Sequence, residues 1–192
     1  MSLVLKLQNT LPTFFLATKI SFINEIANFC ETKGVNVDLV SLGIDLDHRI
    51  GPYFLQAGIG YGGSCFPKDV AAMLAFGQEI GYHFKILEAV KTVNQHQREL
   101  LISKVLAIFK QDLANKVLSV WGLAFKANTD DIRDSPAVAI VTELYNYSAL
   151  EFFITSKSIS SYKFGIQVFC YSIFSLLFND FSFFLATSLY YF

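Results

Sequence analysis

The sequence predicts a mainly α protein, a helical domain with one long helix followed by the first strand–loop–helix of a truncated, Rossmann-like α/β unit. Three observations predict it. Apolar residues recur at helical spacing from about Lys19 to Phe109. A short, nearly continuous apolar run then follows at Lys116–Gly122, the texture of a buried parallel strand. After it come a polar loop and a proline at the first-turn position of a new helix.

The elements follow in chain order. Residues 19–33 read as an amphipathic helix on Ile20, Ile23, Ala27 and Cys30, with Thr18 as its cap and Gly34 as its stop. Residues 37–46 read as a second short helix starting near Asn36 or Asp38. The stretch Asp45 to Pro52 is polar and then turn-forming. A glycine-rich loop comes next, and Asp69 to Glu79 reads as a helix closed by Gly81. Phe84 to about Gln111 is the longest helical pattern, with Ile86, Val90, Val93, Leu100, Leu101, Val105, Leu106 and Phe109 on its apolar face. That face exceeds what a small domain covers, so packing against a partner subunit is expected. The strand at 116–122, the polar loop Ala124–Arg133 and a helix from Pro136 to about Tyr145, capped by Ser135, complete the α/β opening.

Bulk properties exclude several classes. The 192 residues suffice for one or two domains, and a net charge of −1 gives no reason to expect nucleic acid. Three cysteines, Cys30, Cys65 and Cys170, form neither a disulfide framework nor a zinc pattern. Reduced thiols in the cytoplasm are expected, with no metal, since His48, His83 and His96 lack ligand spacing. The N-terminus carries no signal-peptide pattern. Half of the 20 phenylalanines lie beyond residue 146, in a segment with no proline. Its apolar stretch Phe164–Phe178 is shorter than the roughly 20 residues of a membrane span, so membrane contact is a minor expectation. A tail of this composition reads as frame-shifted or unspliced text, which transcript sequencing across codon 147 tests. The predicted organisation is 1–12, a divergent start; 13–111, the helical domain; 112–149, the partial α/β domain; and 150–192, the aromatic tail.

The chemistry concentrates in Gly58-Ile59-Gly60-Tyr61-Gly62-Gly63-Ser64-Cys65-Phe66-Pro67-Lys68-Asp69. Glycines allow close approach to a bound molecule and positive φ. A thiol, a cation and a carboxylate in immediate succession are the parts of a covalent active site. A free thiol ionises near pH 8.5, so a nucleophilic cysteine needs positive neighbours. Lys68 and the start of the following helix are close in sequence and positive in sign. The plainer reading of any cysteine is an inert buried one, and it is adopted for Cys30 and Cys170.

This loop resembles the thiol loop of the UDP-glucose/GDP-mannose dehydrogenase family, and most closely its UDP-glucose 6-dehydrogenases. Ala17-Thr18-Lys19-Ile20-Ser21-Phe22-Ile23-Asn24-Glu25-Ile26-Ala27 is similar to the family's central helix. Asp47-His48-Arg49-Ile50-Gly51 is similar to its D-x-R-I-G segment, and Gly122 to Lys126 with Thr129 to Arg133 and Ser135-Pro136 to the start of its C-terminal domain. The resemblance covers roughly residues 13–146. It implies NAD-dependent, two-step oxidation of the C6 hydroxyl of UDP-glucose to UDP-glucuronate. Cys65 would form a thiohemiacetal and then a thioester that water hydrolyses. Phe66 favours the UDP-glucose branch, since GDP-mannose relatives usually carry leucine there.

Residue by residue, the resemblance makes Cys65 and Asp69 catalytic, Asp69 orienting or deprotonating the water. Asp69 is equally at home as a helix-start carboxylate. Arg49 is implied as a substrate contact reaching across a dimer interface, its fork of donors suiting phosphate. Phe54, Leu55, Gln56, Gly58, Gly60, Tyr61 and Gly62 would line the nucleotide sugar, with Phe125 and Lys126. Cys65, Lys68 and Arg133 would contact NAD. A homodimer through the long central helix is implied. Two departures stand out. No G-x-G-x-x-G follows a strand in these residues. The family's lysine and asparagine ahead of the central helix correspond in register to Asn9 and Thr13. Lys6 and Asn9 could replace them only through an insertion, and Pro12 disfavours helix there. Little turnover is expected of these residues alone. A non-catalytic partner of a full-length dehydrogenase and a membrane-associated product are the competing readings.

Overall fold

The computed structural model describes residues 3–114, 116–147, 151–155, 165–172 and 185–188. Five helices lead the order: α1 (Leu3–Thr32), α2 (Val37–Asp45), α3 (Phe66–Glu79), α4 (Lys85–Ile108) and, after strand β1 (Lys116–Trp121), α5 (Pro136–Asn146). Strands β2 (Glu151–Thr155), β3 (Gly165–Ser172) and β4 (Leu185–Ser188) complete the described chain. The mainly helical class with a strand–loop–helix after it is what the periodicity predicts. The remainder of the aromatic tail lies outside the described residues.

Three boundaries differ from expectation. Helix α1 begins at Leu3, not Lys19, and runs through Pro12. A proline removes one helical N–H. Here Gln8, whose carbonyl loses its donor, and Pro12 itself are both exposed, where water satisfies the orphan. Thr18 is consequently no cap, because its hydroxyl donates to the Phe14 carbonyl inside the helix at 2.8 Å. Helix α3 begins three residues early, with Cys65 as its N-cap residue and Pro67 in its first turn. Beyond Tyr147 the chain forms β2, parallel to β1 from Val117↔Glu151 to Trp121↔Thr155, so the α/β unit extends past its expected end. Asn36 caps α2 as predicted, accepting from the Asp38 N–H at 2.8 Å.

The sheet order is β2-β1-β3-β4. Strand β1 is parallel to β2 and antiparallel to β3, and β3 is antiparallel to β4. With α5 between them, β1 and β2 make a β–α–β crossover.

Two apolar clusters form the core. One joins Leu101, Ile102, Val105 and Leu106 of α4 to Leu118 and Val120 of β1 and to Ala137, Ile140 and Leu144 of α5. The other joins Phe14, Ala17 and Ile20 of α1 to Val70 of α3 and to Leu87 and Val90 of α4. Helix α4 therefore belongs to both. Much of its apolar face is thereby covered within the chain, while Ile86 and Ile108 near its two ends stay exposed. Large apolar side chains are also exposed on α1 and α2 and just beyond, among them Phe15 at 67%, Phe29 at 62% and, past the end of α2, Leu46 at 79%.

Candidate active site

The glycine loop is held from both sides by its alternate residues. Ile59 enters the cluster of α4, β1 and α5, and Tyr61 enters the cluster of α1, α3 and α4. In an extended segment these alternate residues would share one face; the chain turns at Gly60, whose φ is +99°, and so sends Ile59 and Tyr61 into different cores. The Tyr61 ring meets Phe66 edge-on at 5.8 Å, and Phe66 stacks with Phe54 at 6.3 Å. Burial pushes the Tyr61 phenol up to about 12, with Arg98 pulling the other way.

The two glycines before the thiol have no room for a side chain. A Cβ on Gly62 would strike the Asp134 carbonyl and the Pro136 ring, and one on Gly63 would lie 2.7 Å from the Phe125 ring. The loop is thus pressed flat against the segment between β1 and α5. Beside it, Leu16, Ile20, Phe54, Tyr61, Gly62, Phe66, Phe125 and Lys126 enclose a mostly apolar pocket of about 170 Å³. The Lys126 ammonium lies 5.6 Å over the Phe125 ring.

Cys65 is exposed at the start of α3, its sulfur 3.7 Å from the Ser64 hydroxyl. Lys68 is exposed and Asp69 half-buried in the first turn of the same helix. The Asp69 N–H donates to the Cys65 carbonyl at 2.8 Å, the first helical bond. Arg133 lies near the thiol. The Asp131 carboxylate raises its guanidinium above the usual range, with a smaller push in the same direction from Cys65. Asp131 grips Arg133 with both oxygens, at 3.0 and 2.6 Å, and falls to about 2. An identical grip joins Asp47 to Arg49, at 2.9 and 2.5 Å, lowering the carboxyl and raising the guanidinium. The turn that carries Arg49 is pinned to α1 by Lys19, whose ammonium donates to the Ile50 carbonyl at 3.0 Å. Burial lowers that ammonium.

Of the residues expected around the nucleotide sugar, Phe54, Tyr61, Gly62, Phe125 and Lys126 share the apolar pocket. Leu55 is buried with its carbonyl accepting from Ser41. Gln56 donates to the Pro52 carbonyl at 3.4 Å. Gly58 donates its N–H to the Asn24 side chain at 2.6 Å, and Gly60 packs on Asn94. Arg49 is exposed and outside the pocket lining. Periodicity alone passed over Asn24, Asn94 and Arg98. Their signal was present, since all three are polar residues on or beside the apolar stripes of α1 and α4.

NAD fits this donor set at one edge. Lys68 and Arg133 are exposed cations on the side of Cys65 and suit an anionic dinucleotide. The described residues contain no glycine-fingered strand–helix turn for its other half. Among them no group of three or more histidine, cysteine or acidic side chains could hold a metal, and no helix is long and apolar enough to cross a membrane.

Fold and site together define a thiol-loop protein, a helical domain whose cysteine-bearing glycine loop is clamped by a β–α–β unit. The central domain of the UDP-glucose/GDP-mannose dehydrogenase family matches residues 7–96, and that family's UDP binding domain matches residues 119–167. The chain belongs to this family. The match starts earlier and ends later than the quoted motifs suggested. The chain is 50% identical over 135 residues to the UDP-glucose 6-dehydrogenase TuaD of Bacillus subtilis, covering 70% of this chain and 29% of that protein. It is 44% identical over 133 residues to the UDP-glucose 6-dehydrogenase of Pseudomonas aeruginosa, covering 69% and 29%. The chain thus spans less than a third of the curated relatives named here. A UDP-glucose dehydrogenase from Pyrobaculum islandicum superimposes with a TM-score of 0.73 at 36% identity, over 77% of this chain and 34% of that one.

Proposed function

We propose that this chain carries the thiol loop and UDP-sugar cradle of a UDP-glucose 6-dehydrogenase, acting in the oxidation of UDP-glucose to UDP-glucuronate. The observation that carries the reading is Cys65, exposed at the start of α3 beside an apolar, aromatic pocket, on a loop with no clearance for side chains. NAD, when bound, supplies the hydride acceptor for such a reaction, and Lys68 and Arg133 are the residues of this chain that would hold it.

The chain's own residues have these roles. The Cys65 sulfur adds to an aldehyde carbon at C6 of the sugar, forming a C–S bond while the carbonyl oxygen takes a proton. After oxidation, water displaces that sulfur from the acyl carbon. Asp69, half-buried one turn into α3, orients this water or takes its proton. Phe54, Tyr61, Phe66 and Phe125 exclude bulk solvent, and the Lys126 ammonium, which also lines the pocket, would bind the diphosphate. Arg49, outside the pocket, recognises the sugar nucleotide of a second subunit.

A subunit partnership is favoured by α1. Phe15, Phe22 and Phe29 recur every seven residues and are exposed, whereas Ala17, Ile20 and Asn24 on the opposite side are buried. A homodimer through α1, or pairing with a full-length dehydrogenase, follows.

Alkylation tests the substrate reading. Iodoacetamide labelling of Cys65, read by peptide mass spectrometry, is expected to slow as UDP-glucose is added and not with GDP-mannose. Equal labelling with and without UDP-glucose sinks the proposal. Cys65→Ser identifies the labelled site by removing it.

A further inference from the structure

We infer that Asn94 is the positioning residue of the thiol loop, setting the Tyr61 peptide from which the chain runs to Cys65. The inference rests on the reading of Cys65 as the reacting thiol. Asn94 lies mid-way along α4, at 7% exposure, among Val90, Leu101 and Ile102. A polar side chain in such a stripe is costly to bury unless its hydrogen bonds are met. Asn94 meets them with the backbone of one residue of the glycine loop. Its Oδ1 accepts the Tyr61 N–H at 2.7 Å, and its Nδ2 donates to the Tyr61 carbonyl at 3.1 Å.

This double bond makes α4 act toward the loop as a neighbouring strand would. It fixes the loop along its length, because sliding by one residue would break both bonds at once. Gly60, with φ +99°, allows the approach: a Cβ there would sit 2.6 Å from Asn94 Oδ1. One helical turn on, Arg98 Nη2 also donates to the Tyr61 carbonyl, at 3.3 Å. Tyr61 is in turn one residue from Gly62, which has no clearance against Asp134 and Pro136. A shift of the Tyr61 peptide therefore reaches both the pocket wall and the start of α3, whose N-cap residue is Cys65. Asn24 makes a single bond to the loop, from the Gly58 N–H, farther from the thiol. Asn94 is the stronger determinant because it holds both backbone polar groups of Tyr61, and with them the two peptide units on either side of that residue.

Hydrogen exchange resolved at single amides tests this in the full chain, alongside the alkylation measurement. Asn94→Leu keeps the side-chain volume and removes both bonds. Tyr61 N–H exchange is expected to accelerate by about ten- to a hundredfold, with the mid-helix amides of α3 and α4 within about threefold of wild type. The UDP-glucose concentration that half-protects Cys65 is expected to rise about tenfold or more. Asn94→Asp keeps the acceptor and loses the donor, and it guards against misfolding of the leucine variant. Its Tyr61 exchange should fall between wild type and Asn94→Leu. Unchanged Tyr61 exchange in both variants, or acceleration shared equally by α3 and α4, overturns the inference. If wild-type Cys65 gains no protection from UDP-glucose, the substrate reading fails while the exchange data still decide the role of Asn94.

Discussion

Arg133 owes its place to a neighbour two residues back. Asp131 accepts from both its backbone N–H, at 2.9 Å, and its guanidinium, so the pair behaves as one rigid unit. Asp131 is held down at about 2, from the ordinary 3.8. A depressed carboxyl favours the folded pairing above its unfolded pKa, and the contribution disappears as pH falls through the folded pKa. The pair should accordingly persist at pH 4 and open between about pH 4 and pH 2. Carbon-13 NMR of the Asp131 carboxyl should give a midpoint near 2, and a midpoint near 4 would show that the grip is absent in solution. Asp131→Asn should release Arg133, raising its side-chain mobility in nitrogen-15 relaxation without unfolding the chain, since both residues lie at the surface. Residue types in this motif were readable from the sequence. The grip itself was not, because D-x-R spacing permits an aspartate–arginine pair without requiring it.

The thiol loop works through two contacts that admit no atoms. Gly62→Ala adds a methyl against the Asp134 carbonyl oxygen and the ring of Pro136, the first residue of α5, and main chain does not give easily. Overpacking of this kind costs about 1–3 kcal/mol, and urea unfolding should register the loss. Gly43, inside α2, has nothing within 4 Å of a built Cβ. Gly43→Ala should move stability the other way, by up to about 1 kcal/mol. Similar losses from both alanines would show that the loop is not clamped. Element by element, α2, α4, β1 and α5 were legible because their apolar periods are unbroken, and Asn36 and Pro136 mark the starts of α2 and α5. The start of α1 was not. Pro12 signals a helix break, and only its exposed position makes the missing hydrogen bond tolerable. The start of α3 was missed for a related reason. Asp69 marks a helix N-terminus by charge, but Pro67 had already opened the first turn.

At the scale of the molecule, α4 couples the two cores and the glycine loop contributes Ile59 to one and Tyr61 to the other. Periodicity announced an apolar face on α4 but could not say what covers it, since β1 and α5 arrive from later in the chain. The surplus apolar surface lies on α1. Phe15, Phe22 and Phe29 form a stripe roughly opposite Ala17, Ile20 and Asn24, so the helix is apolar on two sides. A helix of that kind is stable in water only when both sides are covered. Leu39 and Leu42 of α2 and Leu46 just past its end are also exposed, enlarging the apolar area beside α1. The chain of 21.6 kDa should therefore sediment with about twice its mass. Phe22→Glu combined with Phe29→Glu sets two carboxylates from each copy into the shared face, where their burial is unfavourable, and should return the sedimenting species to a single copy. Because both side chains point away from the two cores, thermal unfolding at low concentration should barely change, which separates loss of pairing from loss of fold. A wild-type chain that sediments as one copy at tens of micromolar refutes the dimer, and an unaltered mass in the double variant places the interface elsewhere than on this stripe.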